Sequence, residues 1–479
     1  MKLASLPPTH APVRRAMRPT TLLATALALC GAASVHALPV IPGAAGFGMD
    51  TRAGRGGTVY KVTNLNASGT GSLKACIDAT VARTCVFEVS GTIRLTSDLI
   101  IRNGQIRIAG QTAPSPGIML RGAALRITAS DVLVQHIRVR TGDDANGPAP
   151  ENRDSLKIEG TATKPVNNVI IDHCSFSWAI DETASTWGVH DNITFSNNIF
   201  AEPLNESLHP QYDGSGVMSH GYGVLFGPSA NSSVTMVGNL MAHIVERNPL
   251  SRAVELVMVN NLVYNRGNMD VDLQGQDGRI SRNSIVGNVF LRGPSFSRNS
   301  LPILVRTSGT YSLLPGSRVY VYDNNAPESG STYSQLVSLA GGDVIAGLMT
   351  QTTAPVWNTG LVARPTANNA VYNRVLSFAG ARPTDRDSVD RRIVTNVRNR
   401  TGQIINCVAA NGTTRCAKNA GGWPTLAQNR RTLSLPANQA SIAANGYSNL
   451  ENWLNSMDQA LAGVVQAESP ASPPALSVQ

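Results

Sequence analysis

The sequence predicts an all-β protein folded as a parallel β-helix, and a repeated strand pattern is the main reason. Apolar and polar residues alternate and are followed by a polar pair and an apolar pair in segments 131–139, 168–176, 192–200, 233–241, 255–263 and 279–290. Alternation with a period of two is typical of β-strands. A unit of this length cannot bury its own apolar face, so we expect the units to stack as coils of a solenoid.

One position of the repeat carries asparagine in most copies. The equivalent residues are 24, 41, 22 and 27 residues apart, namely Cys174, Asn198, Asn239, Asn261 and Asn288. This spacing indicates one coil per repeat, with loops inserted on one side. Stacked asparagine side chains can hydrogen-bond along the axis, so we expect them to be structural. A β-sandwich is the alternative, but it needs hairpin turns every 8 to 12 residues or so, and few such signals separate these strands.

The composition suits strands and turns and excludes two classes of partner. Of the 479 residues, 5% are aromatic and 15% are charged, and the formal net charge is +9. A basic protein can attract nucleic acid, a membrane or a polyanionic polysaccharide. Because the basic residues are dispersed and not grouped in a stripe with aromatics, nucleic acid is not expected. No run of 18 or more apolar residues follows the N-terminal region, so no membrane partner is expected either.

The N-terminus has the pattern of an export signal. Positive charges at Arg14, Arg15 and Arg18 precede an apolar stretch from 22 to 29, and Val35-His36-Ala37 resembles a cleavage site. Residues 1–37 are therefore predicted to be a signal peptide, and the mature chain is expected outside the cell or in a periplasm. Removal of this segment takes away four basic residues and no acids, so the formal charge falls from +9 to +5.

Five cysteines remain after the predicted cleavage. Cys76 and Cys85 lie close in sequence, as do Cys407 and Cys416, and both pairs are expected to form disulfides in an oxidising compartment. Cys174 is left over and occupies the asparagine position of its repeat. We expect it to be buried and unreactive.

Two arginines frame a short turn after the fourth strand repeat. The segment from Arg247 to Arg252 has the form R-x-P-x-x-R. One guanidinium group could act near a reacting carbon while the other holds a carboxylate in bidentate fashion, which suits an acidic polymer. On its own the pattern also fits any pair of arginines on a solvated loop.

Further motifs give this segment its context, and together they resemble a known family. In order along the chain they are 42–48, 69–73, 154–160, 169–174, 220–227, 247–252 and 445–454. The chain resembles secreted bacterial pectate lyases of polysaccharide lyase family 1 over nearly all of its mature length. The resemblance implies a right-handed, single-stranded, pectin lyase-like parallel β-helix. It also implies calcium-assisted β-elimination of 1,4-linked galacturonan, with an alkaline optimum.

The resemblance also implies roles for individual residues. Arg247 is expected to be the base, and substrate binding is expected at Arg252, His220 and Tyr222. Calcium ligands are expected at Asp144, Asp154 and Asp181. The chain departs from the family at Ser177, where an acid is usual, and at Tyr222, where a lysine is usual. Glu182 could supply the missing acid, but in a continuing strand it should face away from Asp181.

The sequence also gives expectations for two further histidines and for the domain limits. His209 and His243 have no evident partner in the sequence and are expected to be surface or loop residues. We expect a β-helix domain from 38 to 375, a C-terminal extension from 376 to 465 that packs on or caps it, and a disordered tail from 466 to 479. The chain is expected to be a monomer.

Two alternatives to a pectate lyase remain open. One is a pectin lyase, or a lyase for another uronic polymer, on the same fold. Pectin lyases need no calcium, and their clefts tend to be aromatic where this one is expected to carry acids. The other is a β-helix without catalytic activity that binds a polysaccharide.

Overall fold

Three parallel β-sheets form the body of the molecule in the computed structural model, which describes residues 38–276, 278–341, 345–349 and 351–463. The predicted signal peptide and disordered tail lie outside these ranges. Sheet 1 consists of Thr58–Val62, Arg83–Phe87, Ile106–Ala109, Val132–Gln135, Val166–Asp172, His190–Ser196, Ser233–Val237, Glu255–Val259, Arg282–Val286 and Arg318–Tyr322. Sheet 2 consists of Leu99–Ile101, Leu125–Ile127, Leu156–Gly160, Glu182–Gly188, Tyr222–Phe226, Leu250–Ser251, Val271–Leu273, Ile303–Arg306 and Val337–Ala340. Sheet 3 consists of Gly91–Arg94, Ile118–Arg121, Ile137–Arg140, Ser175–Ser177, Ile199–Ala201, Leu240–Ala242, Leu262–Tyr264 and Val289–Leu291.

Each coil contributes one strand to each sheet through most of the molecule. Val166–Asp172 pairs in parallel with His190–Ser196, the sheet 1 strand of the following coil, and Ser175–Ser177 pairs in the same way with Ile199–Ala201 in sheet 3. The chain is therefore a parallel β-helix, as predicted. Inward-facing side chains of successive coils stack in the core, where the rings of Phe176 and Phe200 lie 5.5 Å apart.

The predicted asparagine ladder is present at the turn between sheets 1 and 3. Asn198 donates through Nδ2 to Oδ1 of Asn239 at 3.0 Å, and Asn239 donates to Asn261 at 2.9 Å. The ladder continues through Asn288 to Asn324, which the sequence pattern did not identify. Each side-chain amide donates a hydrogen bond to the asparagine of the next coil, so the ladder holds neighbouring coils in register.

The helices cover one end and two flanks of the solenoid. They are α1 (Leu73–Asp78), α2 (Tyr333–Leu336), α3 (Ala370–Phe378), α4 (Ser388–Asn399) and α5 (Asn449–Ala462). Helix α1 buries its apolar residues in the main core near the first coils. Single 3₁₀ turns lie at Gly110–Thr112, Pro150–Asn152, Ala367–Asn369, Pro383–Asp385 and Arg415–Ala417. Among the described residues, no helix is long and apolar enough to cross a membrane.

The C-terminal extension packs along the flanks because the strands there are apolar on their outer faces. Val375 of α3 and Ile393 of α4 lie in one buried cluster with Leu240 and Leu262 of sheet 3. Helix α5 packs through Leu454 on the outer face of sheet 1. The domain limits drawn from the sequence stay predictions, and the limit at 375 falls inside α3.

Charged groups also join the extension to the solenoid. Arg140, at the end of a sheet 3 strand, donates to Asp387 at the N-cap of α4 and to Asp390 in its first turn, and the second bond is 2.8 Å long. Arg138 lies 3.4 Å from Asp390. All four side chains are buried.

The cysteines are arranged as the sequence predicted. Cys76 is bonded to Cys85, and Cys407 is bonded to Cys416. Cys174 is free and fully buried, and burial raises the pKa of its thiol. The second disulfide fixes a loop of the extension that lies beside the site described next.

Candidate active site

The candidate site lies where four neighbouring strands of sheet 2 begin. Asp154, Asp181, His220 and Arg247 each lie a few residues before one of these strands, in the turn that leads into it. The strands are parallel and in register, with Glu182 opposite Tyr222. Because parallel strands begin at the same edge of a sheet, the four side chains are brought together from coils that are distant in sequence.

Three acids form the centre of the site. Asp154, Asp181 and Glu182 each place a carboxylate oxygen within 4.8 Å of the other two. Asp154 and Glu182 are buried, and Asp181 is partly exposed. Oδ2 of Asp154 accepts a hydrogen bond from Ser185 at 2.5 Å. Its Oδ1 lies 3.4 Å from Lys157 Nζ but has no hydrogen bond of acceptable geometry.

Burial and mutual repulsion disturb the ionisation of all three acids. Burial, together with the charge of Glu182, raises the pKa of Asp154 to about 7. Burial and the charge of Asp154 raise the pKa of Asp181 to about 7. For Glu182, burial and the charge of Asp181 raise the pKa to about 8. Nearby positive charge therefore does not balance the cluster.

These features fit a hard divalent cation. Calcium takes six to eight or so oxygen ligands, usually including carboxylates. The cluster offers carboxylate oxygens that converge from two coils, and Oδ1 of Asp154 is buried without a hydrogen bond. A bound cation would satisfy that oxygen and would favour the ionised form of the three acids.

Asp144, an expected calcium ligand, lies apart from the acid cluster, and its role as a ligand stays a prediction. The Asp144 carboxylate accepts hydrogen bonds from Arg121 at 3.1 to 3.3 Å, and it is not part of the acid cluster. The Arg121 guanidinium in turn lies 3.8 Å above the ring of Trp423, a residue of the extension. Asp144 is therefore held on the sheet 3 side of its loop by contacts that sequence spacing did not reveal.

Glu182 joins the cluster in place of Asp144. The expectation that it would face away from Asp181 is wrong, because Asp181 lies in the bend before the strand and only Glu182 belongs to the strand. Strand alternation therefore does not apply between these two residues. Ser177, at the usual acid position, is buried at the end of a sheet 3 strand and is not among the clustered residues.

Arg247 lies at the edge of the acid cluster. Its backbone has a positive φ of 68°, and its guanidinium donates to Oε1 of Glu182. The same guanidinium lies 4.1 Å from the ring centre of Tyr222. The structure therefore brings Arg247 and Tyr222 together with two of the three predicted acids, Asp154 and Asp181.

Two stacked histidines form the wall next to Asp181. His220 Nε2 lies 2.8 Å from Oδ1 of Asp181, and the ring of His209 stacks on that of His220 at 3.8 Å. His209 Nδ1 donates to the carbonyl of Pro210 at 2.9 Å, which leaves the lone pair on Nε2. Burial lowers the pKa of both histidines, and that of His220 to about 4. The two rings are therefore neutral donors and acceptors at neutral pH.

Both histidines that the sequence left without a partner are buried. His209 belongs to the site wall, and His243 bonds Asn265 at 2.8 Å under the extension. Both lie in loop segments, which agrees with one of the two expected positions, but neither is at the surface. The signal for His209 was available only from the fold, because the residue lies on an insertion between two coils.

Arg252 lies beyond the acid cluster along the same sheet. Its guanidinium is 3.8 Å from the ring centre of Tyr311, and its Nε donates to Gln274 at 2.9 Å. Among the described residues it has no ion pair. The terminal nitrogens of Arg252 are thus available to a carboxylate, although this residue does not line the cavity around the acids.

The cavity around the acids has a volume of about 590 Å³ and is open to solvent. Half-exposed Trp187 and the more exposed Tyr212 form part of its wall. Gly227 packs against the Trp187 ring, where a Cβ would come within 2.4 Å of a ring carbon. The absence of a side chain at Gly227 therefore leaves room for the indole in the cavity wall.

The comparison with known proteins agrees with this arrangement. No family model matches the chain. It is 32% identical over 437 residues to a probable pectate lyase C of Neosartorya fischeri, covering 88% of this chain and 95% of that protein. It is 30% identical over 453 residues to a probable pectate lyase C of Aspergillus terreus, covering 92% and 99% respectively. The chain belongs to the pectate lyase family.

Solved pectate lyases are more distant. One from Bacillus sp. N165, in complex with trigalacturonate, has a TM-score of 0.48 and 14% sequence identity, and the match covers 69% of this chain and 95% of that one. A Bacillus subtilis pectate lyase mutant gives 0.43 and 14%, with 73% and 99% covered. The curated pectate lyases above are fungal, so the resemblance to bacterial members of the family stays a prediction.

Proposed function

We propose that this member of the pectate lyase family is a secreted, monomeric enzyme that cleaves 1,4-linked galacturonan by calcium-assisted β-elimination. The products would be 4,5-unsaturated oligogalacturonides. One observation carries the proposal: the guanidinium of Arg247 lies at the edge of a buried cluster of three acids that lacks balancing positive charge.

The reaction needs a base and strong electrostatic stabilisation. The base removes the proton from C5 of a galacturonate residue, and the electron pair forms the C4–C5 double bond. The bond from C4 to the glycosidic oxygen breaks, and that oxygen leaves with its electron pair and takes a proton from water. Negative charge develops on the carboxylate attached to C5 as the proton leaves, so groups that stabilise this charge lower the barrier. Calcium held by Asp154, Asp181 and Glu182 would neutralise that carboxylate.

The residues of this chain have distinct proposed roles. Arg247 is proposed as the base, and Arg252 is proposed to bind a substrate carboxylate through its free terminal nitrogens. In the structure the guanidinium of Arg247 donates a hydrogen bond to Glu182. To act as the base, Arg247 must first give a proton to solvent, because only the neutral guanidine can take the C5 proton. Glu182 would leave the guanidinium when the acids hold a cation.

His220 and Tyr222 are proposed to position the substrate. Both side chains lie against the catalytic groups, with His220 bonded to Asp181 and the Tyr222 ring under Arg247. The usual lysine of the family is absent at Tyr222. The tyrosine ring supports the arginine and leaves the binding of carboxylates to Arg252.

A pectin lyase is the second candidate function, and the aromatic wall of the cleft favours it. Trp187 and Tyr212 could contact a methyl ester or the apolar face of a sugar. The acid cluster favours the first candidate, because three clustered carboxylates would repel an acidic polymer unless a cation were bound there.

The test is the ultraviolet absorbance of the new double bond in polygalacturonate and in highly methylated pectin. We expect product from polygalacturonate in calcium and a loss of rate in excess chelator that added calcium restores. A full rate in excess chelator would exclude calcium assistance, and a preference for methylated pectin would favour the second candidate. Absence of product from both polymers would exclude both.

A further inference from the structure

A second cavity, of about 650 Å³, lies beside the candidate active site. One wall consists of turns that precede strands of sheet 2 and includes Asn205, Val245 and Asn268. The other wall is built by the C-terminal extension and includes Gln403 and Lys418. The extension thus adds a binding surface that the coils alone would not form.

This second cavity is joined to the active site through shared backbone. Asn205 accepts a hydrogen bond from the His220 amide at 3.0 Å, and Val245 lies two residues before Arg247. The cavity runs from the coil of Tyr222–Phe226 to the coil of Ile303–Arg306. Since coils stack at about 4.8 Å, it extends roughly 10 Å beyond the coil of Arg247.

The two cavities differ in charge. Five carboxylates line the active-site cavity, from Glu151, Asp154, Glu159, Asp181 and Glu182. Among the described residues that line the second cavity there is no acid, and the charged side chain is Lys418. An acidic ligand can therefore bind in the second cavity without a metal ion.

The second cavity offers hydrogen-bond donors that the protein leaves unused. In the part of the chain that the structure describes, the side-chain nitrogens of Asn205, Asn268 and Gln403 have no partner, and Lys418 Nζ has no ion pair. Amide and ammonium groups donate to carboxylates and to sugar hydroxyls. The walls hold no stack of aromatic rings, so a planar aromatic ligand is not expected.

The wall from the extension is fixed before any ligand arrives. The Asn406 amide donates to the Lys418 carbonyl at 2.8 Å, and the Cys407–Cys416 disulfide closes the loop between them. The Ile404 amide donates to Ser295 at 3.0 Å on the opposite wall. A wall held in this way loses little conformational entropy when it binds.

We propose that the second cavity is an accessory site for galacturonate residues of the polymer chain that occupies the active site. The identity of this ligand rests on the proposed function. Lys418 binds a uronate carboxylate, and the amides of Asn205, Asn268 and Gln403 bind sugar hydroxyls. The site strengthens the binding of long chains and takes no part in the elimination.

Charge reversal at Lys418 tests the accessory site. We expect Lys418→Glu to raise KM for polygalacturonate about tenfold with kcat unchanged, because a charge-assisted hydrogen bond becomes a repulsion. Gln403→Ala should raise KM less. Trigalacturonate, which is short enough to lie in the active site alone, should give unchanged kinetics. Lys74→Glu makes the same charge change on α1 and is the matched control, since Lys74 pairs with Asp78 of the same helix and does not line either cavity.

Equal KM values for Lys418→Glu and Lys74→Glu on the polymer would overturn the accessory site. A failure of the proposed function has a different signature, because no variant would then release unsaturated product. In that event, calorimetry with a long oligogalacturonate in chelator decides the matter. Binding about tenfold weaker in Lys418→Glu than in Lys74→Glu supports the accessory site, and equal binding overturns it.

Discussion

Two groups of buried charges in this molecule are built in opposite ways. Between sheet 3 and α4, Arg138 and Arg140 face Asp387 and Asp390, so that two positive charges meet two negative ones. At the start of the sheet 2 strands, three acids face one another and the positive charges of Arg247 and Lys157 lie only at the margin.

The ionisation of the two groups differs accordingly. Paired arginines hold the pKa of Asp387 well below its ordinary value, and the same aspartates raise the pKa of Arg140. In the acid cluster, burial and repulsion raise the pKa of each carboxyl to about 7 or 8. Matched charges indicate a group that holds the structure together, whereas unmatched acids indicate a site that needs a ligand.

The largest effect is expected on turnover, when the proposed base beside the acid cluster is replaced. Arg247→Lys should lower turnover by about 10²- to 10⁴-fold, the usual cost of losing a positioned proton acceptor, while the fold is kept. Turnover and circular dichroism measure the two parts of this prediction. Arg306→Lys is the matched control, because Arg306 also pairs with an acid on sheet 2 but does not line the active-site cavity. Activity above a tenth of wild type would remove Arg247 as the base.

Removal of one acid from the group of paired charges should lower the free energy of unfolding. Asp390→Ala leaves Arg138 and Arg140 buried with one acid fewer, and removing one partner of a buried ion pair costs about 3–5 kcal/mol. Urea unfolding measures the loss. Turnover per folded molecule should not change, since Asp390 lies outside the active-site cavity. A loss below about 1 kcal/mol would show that the network does not hold the extension to the solenoid.

The sequence predicted features marked by a repeated position or a short spacing and missed those that depend on contacts between distant segments. The ladder asparagines recur at one position of the repeat, and each disulfide joins cysteines with a sequence separation of 9. The separation of Asp144 from the acid cluster was not visible in the sequence, because its partner Arg121 and the ring of Trp423 come from other parts of the fold. His209 was missed for the same reason, since its ring becomes a site residue only by stacking on His220.

The calcium dependence of activity distinguishes an acid inside the cluster, Asp154, from Asp144, which lies outside it. Asp154→Ala should raise the calcium concentration for half-maximal activity about tenfold or more, because a hard anionic ligand is lost. Asp144→Ala should change it little, since the carboxylate of Asp144 is bound to Arg121. Activity measured against buffered free calcium gives both values. An equal shift in the two variants would return Asp144 to the site.

The smallest effect is a pH dependence of stability that calcium should suppress. The three acids have a pKa of about 7 to 8 in the folded chain, against about 4 when unfolded. The folded chain therefore holds protons that the unfolded chain has lost, so stability falls as pH rises until the three acids have ionised. We expect to measure this fall between about pH 6.5 and 8.5. Below this range the buried histidines His190, His220 and His243, whose pKa is lowered to about 4, contribute in the opposite direction.

Thermal unfolding in chelator across this range measures the fall, which should be roughly 2–4 °C for each kcal/mol lost. Calcium should offset it, because the ion binds the folded chain and favours the ionised acids. Asp154→Asn removes one titrating group and relieves repulsion on the other two acids. In chelator this variant should therefore be more stable than wild type at about pH 8.5 and should depend less on pH. A wild-type melting temperature that stays level in chelator from pH 6.5 to 8.5 would mean that the acids are already balanced, and the contrast between the two charged groups would be lost.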